Sequence, residues 1–404
     1  MASRAGGSVG LLVAGALLLP PRPLGAEEGK PQLRLFGDTL TLRPTGLLQL
    51  DAGSVFGRTP SDAPDGGLNP RRLRLGLQAE WREDLTLILV WDFGGTPGSR
   101  SRLHEASIAY SGLDPFTLTV GVFRPRLTLE GSQRAAETLF LERAAIVGAA
   151  SSLAAGSGRV AAELRAEGER WMAAAALTGG RTGPGEDSTQ RGATARLAGL
   201  PVRREEGPAL HLGLSASWSF RPPRGGLGRA VELSEPPELA LDRTDPPLDT
   251  GAIRAGAARS GGVEAGLAHG RLWAQGEWHG IAVERAGGGT LRFSGWYAQA
   301  AWALIGQPRE WEPTLGAWGA PKPSGGFDPA AGRWGAVEIG ARYSVLDLND
   351  GDIRGGRQRV WSAGLGWWPV ESLRLLAQYQ YGQVRGGGTD RSFQALALRA
   401  QWRF

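Results

Sequence analysis

The residues best suited to chemistry in this 404-residue chain are its arginines. All but two of its 45 lysines and arginines are arginine, the exceptions being Lys30 and Lys322. Arg72, Arg74, Arg196, Arg342, Arg374 and Arg399 each fall on the polar parity of an alternating segment. A guanidinium keeps its charge when partly desolvated and grips carboxylate or phosphate with paired donors. A ladder of such groups along a passage would favour anions. Glu80, Glu105, Glu163, Glu277 and Glu338 lie on or near the same parity and are available to pair with them. A GC-rich genome would also raise arginine usage, so the argument rests on position and not on number.

Other chemistry is thin. With no cysteine there is no disulfide and no cysteine metal site. His104, His211, His269 and His279 are scattered without metal-ligand spacing. Ser215 and Ser217 share a strand parity with His211, and a hydrolase reading rests on that parity alone. DLNDGD at 347–352 begins like a calcium loop, yet no Glu follows at the remaining ligand position, so it reads as a hairpin connection. No enzyme activity, no cofactor and no metal are expected.

The elements that must position the arginines are strands. The chain opens with a cation at Arg4, an apolar run from about Val9 to Leu19 and Leu24-Gly25-Ala26, the pattern of a secretory signal peptide cleaved after Ala26. Residues 27–404 then form one domain. No later apolar stretch is long enough for a spanning helix, which leaves an exported soluble protein, such as a β-sandwich or adhesin, or a closed β-barrel. Period-2 segments recur to the end of the chain. In one of them Leu73, Leu75, Leu77, Ala79 and Trp81 oppose Arg72, Arg74, Gly76, Gln78 and Glu80. Sixteen strands are predicted, near 41–53, 70–82, 85–93, 103–111, 116–124, 159–167, 170–178, 190–199, 209–220, 250–268, 271–285, 290–305, 334–347, 357–369, 371–383 and 391–404. Short and long connections alternate, as in outer-membrane barrels. The Pro-rich, charged stretch 221–249 reads as a long outer loop. Residues 126–158 do not alternate; they predict one or two short helices in a loop that folds inward and narrows a pore.

Aromatic residues Trp81, Trp91, Trp218, Trp302, Trp367, Trp368 and Trp402 fall near strand ends, which suits the interfacial girdles of a membrane barrel better than a sandwich core. Outward Ala193, Ala195, Ala298 and Ala300 would suit a tightly packed subunit interface.

Several stretches resemble the phosphate-selective porin O and P family of Gram-negative outer membranes. The longest is WGAVEIGARYSVLDLNDGDIRGGRQRVWSAGLGWWPVESLRLLAQYQY, starting at Trp334. FSGWYAQAAWALIGQPREW, VEAGLAHGRLWAQGEWHGIAVER, GLDPFTLTVGVFRPRLTLE and FLERA support it. The resemblance implies an all-β, transmembrane antiparallel barrel of about sixteen strands, a homotrimer in outer-membrane lipid, passing small anions such as phosphate by diffusion. Arg71 and Arg72 stand where the family carries a basic pair, and Arg124 and Arg126 lie in the segment that leads into its constriction loop. With Arg74, Arg134, Arg143, Arg196 and Arg342 they make up the pore-lining, anion-binding candidates. The family's lysine cluster has no counterpart in a chain with two lysines, so a general non-selective porin stays open beside a phosphate-type channel. An outer-membrane barrel hydrolase is the rival from another class. The alternating C-terminal strand FQALALRAQWRF ends on an aromatic. The resemblance implies that Trp402 and Phe404 carry an assembly signal read by the barrel-assembly machinery. No nucleic-acid partner is expected.

Overall fold

The computed structural model describes residues 31–37, 39–56, 66–95, 101–183, 187–204, 207–226, 228–241, 248–386 and 390–404. The expected signal peptide and Lys30 lie outside them.

Alternation at period 2 puts every second side chain on the same face of a strand, and the described residues form sixteen long strands in that way. They are β1 (Leu40–Phe56), β2 (Gly67–Trp81), β3 (Leu85–Asp92), β4 (Arg102–Leu113), β5 (Phe116–Phe123), β6 (Arg159–Gly168), β7 (Trp171–Arg181) and β8 (Arg191–Arg203). The second half adds β9 (Ala209–Arg221), β10 (Ile253–His269), β11 (Leu272–Arg285), β12 (Thr290–Ile305), β13 (Ala336–Asp350), β14 (Ile353–Val370), β15 (Leu373–Arg385) and β16 (Arg391–Arg403). Each pairs antiparallel with the next. β16 returns to β1 in the register Leu47↔Arg403 to Phe56↔Gln394. The sheet is therefore a closed barrel without an edge, the one strand architecture that satisfies every backbone group in lipid.

Burial is inverted relative to a soluble protein. Leu396, Leu398 and Trp402 are exposed on the outside, while Arg399 and Gln401 between them are buried. The same inversion runs round the barrel, with exposed Leu75, Leu89, Leu164, Leu214 and Trp278 facing outward. Ala195, Ala298 and Ala300 are exposed on the same outer face, and Ala193 is half-buried there. Trp368 departs from the predicted girdle. It is buried on the lumen side with the Arg374 guanidinium 4.4 Å above its ring, whereas its neighbour Trp367 has the outward parity. Two adjacent tryptophans in a regular stretch of strand face opposite ways.

The connections sort onto two ends. At one end most are tight: 82–84, 114–115, 169–170, 270–271 and 371–372. At the other lie the long ones, including 124–158 and 222–252, together with the hairpin 351–352 that follows Asp350. One connection breaks the pattern, because 306–335 is long yet sits at the tight-turn end. Three segments fold into the lumen and supply the barrel's apolar core. Leu141, Ile146 and Val147 of the first long loop pack with Leu233, Leu239 and Leu248 of the second and with inward Val283, Phe293 and Leu346. From the tight-turn end, Trp318 packs with Phe140 and Trp273. The stretch read as an outer loop, 221–249, thus contributes to the interior as well.

Candidate pore constriction

The loop between β5 and β6 follows the prediction for 126–158. It carries two short helices, α1 (Leu129–Ser132) and α2 (Ala145–Ser152), and it lies inside the barrel. A buried irregular backbone must find partners for its N–H and C=O groups, and one side of the wall provides them. Glu277 accepts from the amides of Leu129 and Glu130, both at 2.7 Å. Arg374 donates to the carbonyls of Thr138 and Leu139 at 2.7 and 2.9 Å, Gln401 to Ala136 at 3.0 Å, and Gln378 accepts from the Leu141 amide at 2.9 Å. Arg399 donates to the Leu141 carbonyl at 2.7 Å while pairing with Asp51 at 2.6 Å. The loop is fastened to β11, β13, β15 and β16, and the lumen closes on that side.

The opposite side stays open as a cavity of about 880 Å3. Its lining reaches from Ser111 and Thr117, beside the tight turn 114–115, to Arg102 and Ser157 at the long-loop end. It therefore runs along the barrel between the β1–β5 wall and the inward loop. Ten arginines line it (Arg71, Arg72, Arg74, Arg102, Arg124, Arg126, Arg134, Arg143, Arg165 and Arg403) with four carboxylates (Glu105, Glu142, Glu235 and Glu238), and Asp92, Glu137, Glu163, Glu167 and Glu312 pair with lining arginines from behind, so the uncompensated positive charge lies with the arginines these acids do not reach.

Seven of the nine predicted pore arginines line this cavity. The register of β1 with β2 slips between Gln49 and Leu50, so that Arg72 stands opposite Gln49, Pro70 opposite Leu50, and Arg71 is the extra residue. Such a bulge lets two consecutive side chains point the same way. Both guanidiniums meet Glu142 of the loop, Arg71 at 2.6 Å and Arg72 at 3.2 Å. Burial opposes ionisation of Glu142, but Arg71, Arg72 and Arg399 outweigh it and hold the carboxyl well below the usual carboxylate range. Arg74 pairs with Asp92 at 2.8 Å, Arg126 with Glu163 at 2.7 Å, and Arg134 with Glu312 at 2.7 Å.

Three cavity arginines touch no carboxylate among the described residues. Arg143 donates to the carbonyls of Glu130 and Gln133 at 2.8 and 2.6 Å, which fixes its place and leaves its charge unopposed by contact. Arg124 and Arg102 have no hydrogen bond or ion pair there. Burial, then Arg143 and Arg74, push Arg124 down to about 9, still protonated at neutral pH. Across the cavity, burial and the neighbouring Glu238 push Glu235 up to about 8, with Arg124 opposing. At neutral pH this carboxyl is mostly uncharged.

Arg196 and Arg342 have the predicted inward parity but lie behind the inward segments. Arg196 is buried against Glu264 at 2.7 Å and donates to the Leu315 and Gly316 carbonyls. Arg342 is buried between Glu238 at 2.6 Å and Glu130 at 3.3 Å. Strand parity points both inward, and the loops then cover them. Arg102, Arg165 and Glu235 line the cavity without having been singled out in the sequence. Arg165 shares parity with Glu163, a usable signal, whereas Glu235 sits in the irregular stretch 222–252, where there is no period to read.

Among the described residues His211 and Ser217 of the shared parity are engaged with other partners and not with each other. His211 is buried with Nε2 2.9 Å from Glu264 and Nδ1 accepting from the Trp311 indole at 3.1 Å, while Ser217 pairs with Ser260 at 2.8 Å.

The profile of the family described as phosphate-selective porin O and P matches residues 45–404. The chain belongs to that family. An uncharacterized protein of Caulobacter vibrioides is 27% identical over 395 residues, covering 92% of this porin and 75% of the relative. Among solved structures, the anion-selective porin from Comamonas acidovorans matches with a TM-score of 0.57 at 11% identity, over 90% of this chain and 100% of that one. The outer membrane channel DcaP of Acinetobacter baumannii matches with a TM-score of 0.53 at 11% identity, over 92% and 100%. OmpT, an outer membrane protein of Vibrio cholerae solved in a trimer form, matches with a TM-score of 0.55 at 11% identity, over 91% and 100%. At these identities the structures share the fold, and the family places this porin in the outer membrane as a channel rather than an enzyme.

Proposed function

We propose that this porin is an anion-preferring diffusion channel for small phosphate-type solutes. The observation that carries the reading is the set Arg102, Arg124 and Arg143, which line the cavity without a contacting carboxylate. A permeating anion shed of part of its water finds fixed donors there, and the ion-paired Arg71, Arg72, Arg74 and Arg126 add to the field along the passage. Conduction needs several modest sites rather than one tight one. Arginine supplies paired, permanently charged donors where the family's phosphate-selective members use lysine, and this favours binding of phosphate without reproducing their constriction.

The channel works as a homotrimer, a reading supported by the trimer form of the Vibrio cholerae neighbour and by outward Ala193, Ala195, Ala298 and Ala300. A leader cleaved after Ala26 exports it, and the barrel-assembly machinery recognises the Trp402 and Phe404 end. Planar-bilayer conductance in chloride with added phosphate tests the selectivity. Phosphate at millimolar concentration should reduce the chloride current. Undiminished current would leave a general porin, the reading favoured by the ion pairs that already occupy most of the other cavity arginines.

A further inference from the structure

Three arginines on the outer face take no part in the pore. The outward parity of β14 runs Arg357, Arg359, Trp361, and that of β15 runs Tyr381, Gln383, Arg385. Arg357 stands directly opposite Arg385, and Arg359 opposite Gln383. Opposed residues have Cβ atoms about 5 Å apart, and like charges so placed destabilise a sheet. All three arginines are exposed. Arg357 has one carboxylate, Asp347 of β13 at 3.6 Å, whose Oδ1 also accepts from Asn349. Arg359 and Arg385 have no ion pair or side-chain hydrogen bond among the described residues. The nearby rim acids are engaged elsewhere. Asp350 accepts from the Arg292 amide, Asp352 pairs with Arg285, and Asp390 accepts from the Gly386 amide.

The level of this cluster is marked by the residues next to it. Trp361 follows Arg359 on the same face and is 58% exposed. It lies 4.2 Å from the ring of Tyr343, which lies 5.4 Å from that of Trp296. An aromatic row of this kind sits where hydrocarbon meets headgroups. The arginines lie on the side of it nearer the long-loop end, which in outer-membrane barrels faces outward from the cell. They therefore stand at the headgroup level of the outer leaflet. Repulsion between Arg357 and Arg385 is relieved by an anion with several acceptor oxygens, and a phosphate takes paired donors from more than one guanidinium.

We propose that Arg357, Arg359 and Arg385 form a binding site for the phosphorylated headgroup of an outer-leaflet glycolipid, with its acyl chains lying over Trp361, Leu365 and Tyr379. The site depends on the outer-membrane orientation of the barrel and is independent of what the pore selects. Full-length mature protein is folded in detergent with EDTA present, so that no divalent cation bridges acid to phosphate. Native mass spectrometry then compares bisphosphorylated lipid A with its dephosphorylated form. Wild type should retain the phosphorylated lipid at least tenfold more tightly, and R357Q/R359Q/R385Q should bind the two forms equally. R359Q alone should lose part of the preference and serves if the triple variant does not fold. Equal binding of both lipids by wild type, or an undiminished preference in the variants, overturns the site. Displacement by inorganic phosphate at the lipid's own concentration overturns the lipid assignment in favour of a free anion. The chloride reversal potential of the triple variant should match wild type, so a failure here is separable from a failure of the pore reading.

Discussion

Glu235→Gln should remove a pH step from the ion selectivity of this porin. Glu235 lines the cavity, forms no ion pair among the described residues, and is pushed up to about 8 by burial and Glu238, against Arg124. At that value about one-tenth of the carboxyls are ionised at pH 7 and about nine-tenths at pH 9. Raising the pH through this window adds a negative charge to the passage, so anion preference falls as pH rises. A unit charge about 4 Å from a passing ion is worth about 1 kcal/mol in water and more where water is excluded, about fivefold for each ion and of opposite sign for anion and cation, so the anion-to-cation ratio changes by up to about thirtyfold. The assay is the reversal potential in a potassium chloride gradient at pH 6 to 10. Wild type should show a decline centred near pH 8 that Glu235→Gln lacks. An identical profile in both proteins would refute the assignment of the step to Glu235.

Other predictions concern stability, local charge and assembly. Asp51→Ala removes the partner of buried Arg399, whose Nε and Nη2 bond it at 2.6 and 2.7 Å. Because Glu142 still lies 3.3 Å away, the loss should fall near the lower end of the roughly 3–5 kcal/mol typical of a broken buried pair, read from tryptophan-monitored unfolding in detergent. Glu142→Gln leaves Arg71 and Arg72 without their carboxylate, so it should raise anion preference several-fold at low salt in the same reversal-potential assay. Deleting Phe404 removes a ring seated over Gly46, where a Cβ would come within 2.3 Å of it, and the backbone pair between Phe404 and Gly46. Heat-modifiable trimer should fall in yield while single-channel conductance of what assembles stays unchanged.

The barrel is legible in the sequence because period 2 survives along nearly every strand, and a lipid-facing Leu75 or Leu398 cannot be exchanged with Arg74 or Arg399 without inverting a face. The inward loop was legible too, since Ala135 to Ala145 break the alternation. Parity tells which side a guanidinium is on and not what stands before it. Arg196 and Arg342 face inward as read, yet Glu264, Glu238 and Glu130 bury them behind the loop. The second loop and 306–335 were hardest to place, because Glu238, Arg309 and Trp318 find partners outside their own segments, as Arg309 does with Glu338 at 2.8 Å. Proline-rich irregular chain carries no period that announces where it folds.

The most direct test of the central claim is the zero-current potential of wild type and of Arg102→Gln/Arg124→Gln/Arg143→Gln in a tenfold potassium chloride gradient at pH 7. The variant removes the cavity arginines that no carboxylate contacts and spares the pairs that hold the loop. Wild type should favour chloride over potassium, and the variant should approach the ideal unselective value with conductance retained. Equal potentials in the two proteins, or a cation preference in wild type, would contradict the account.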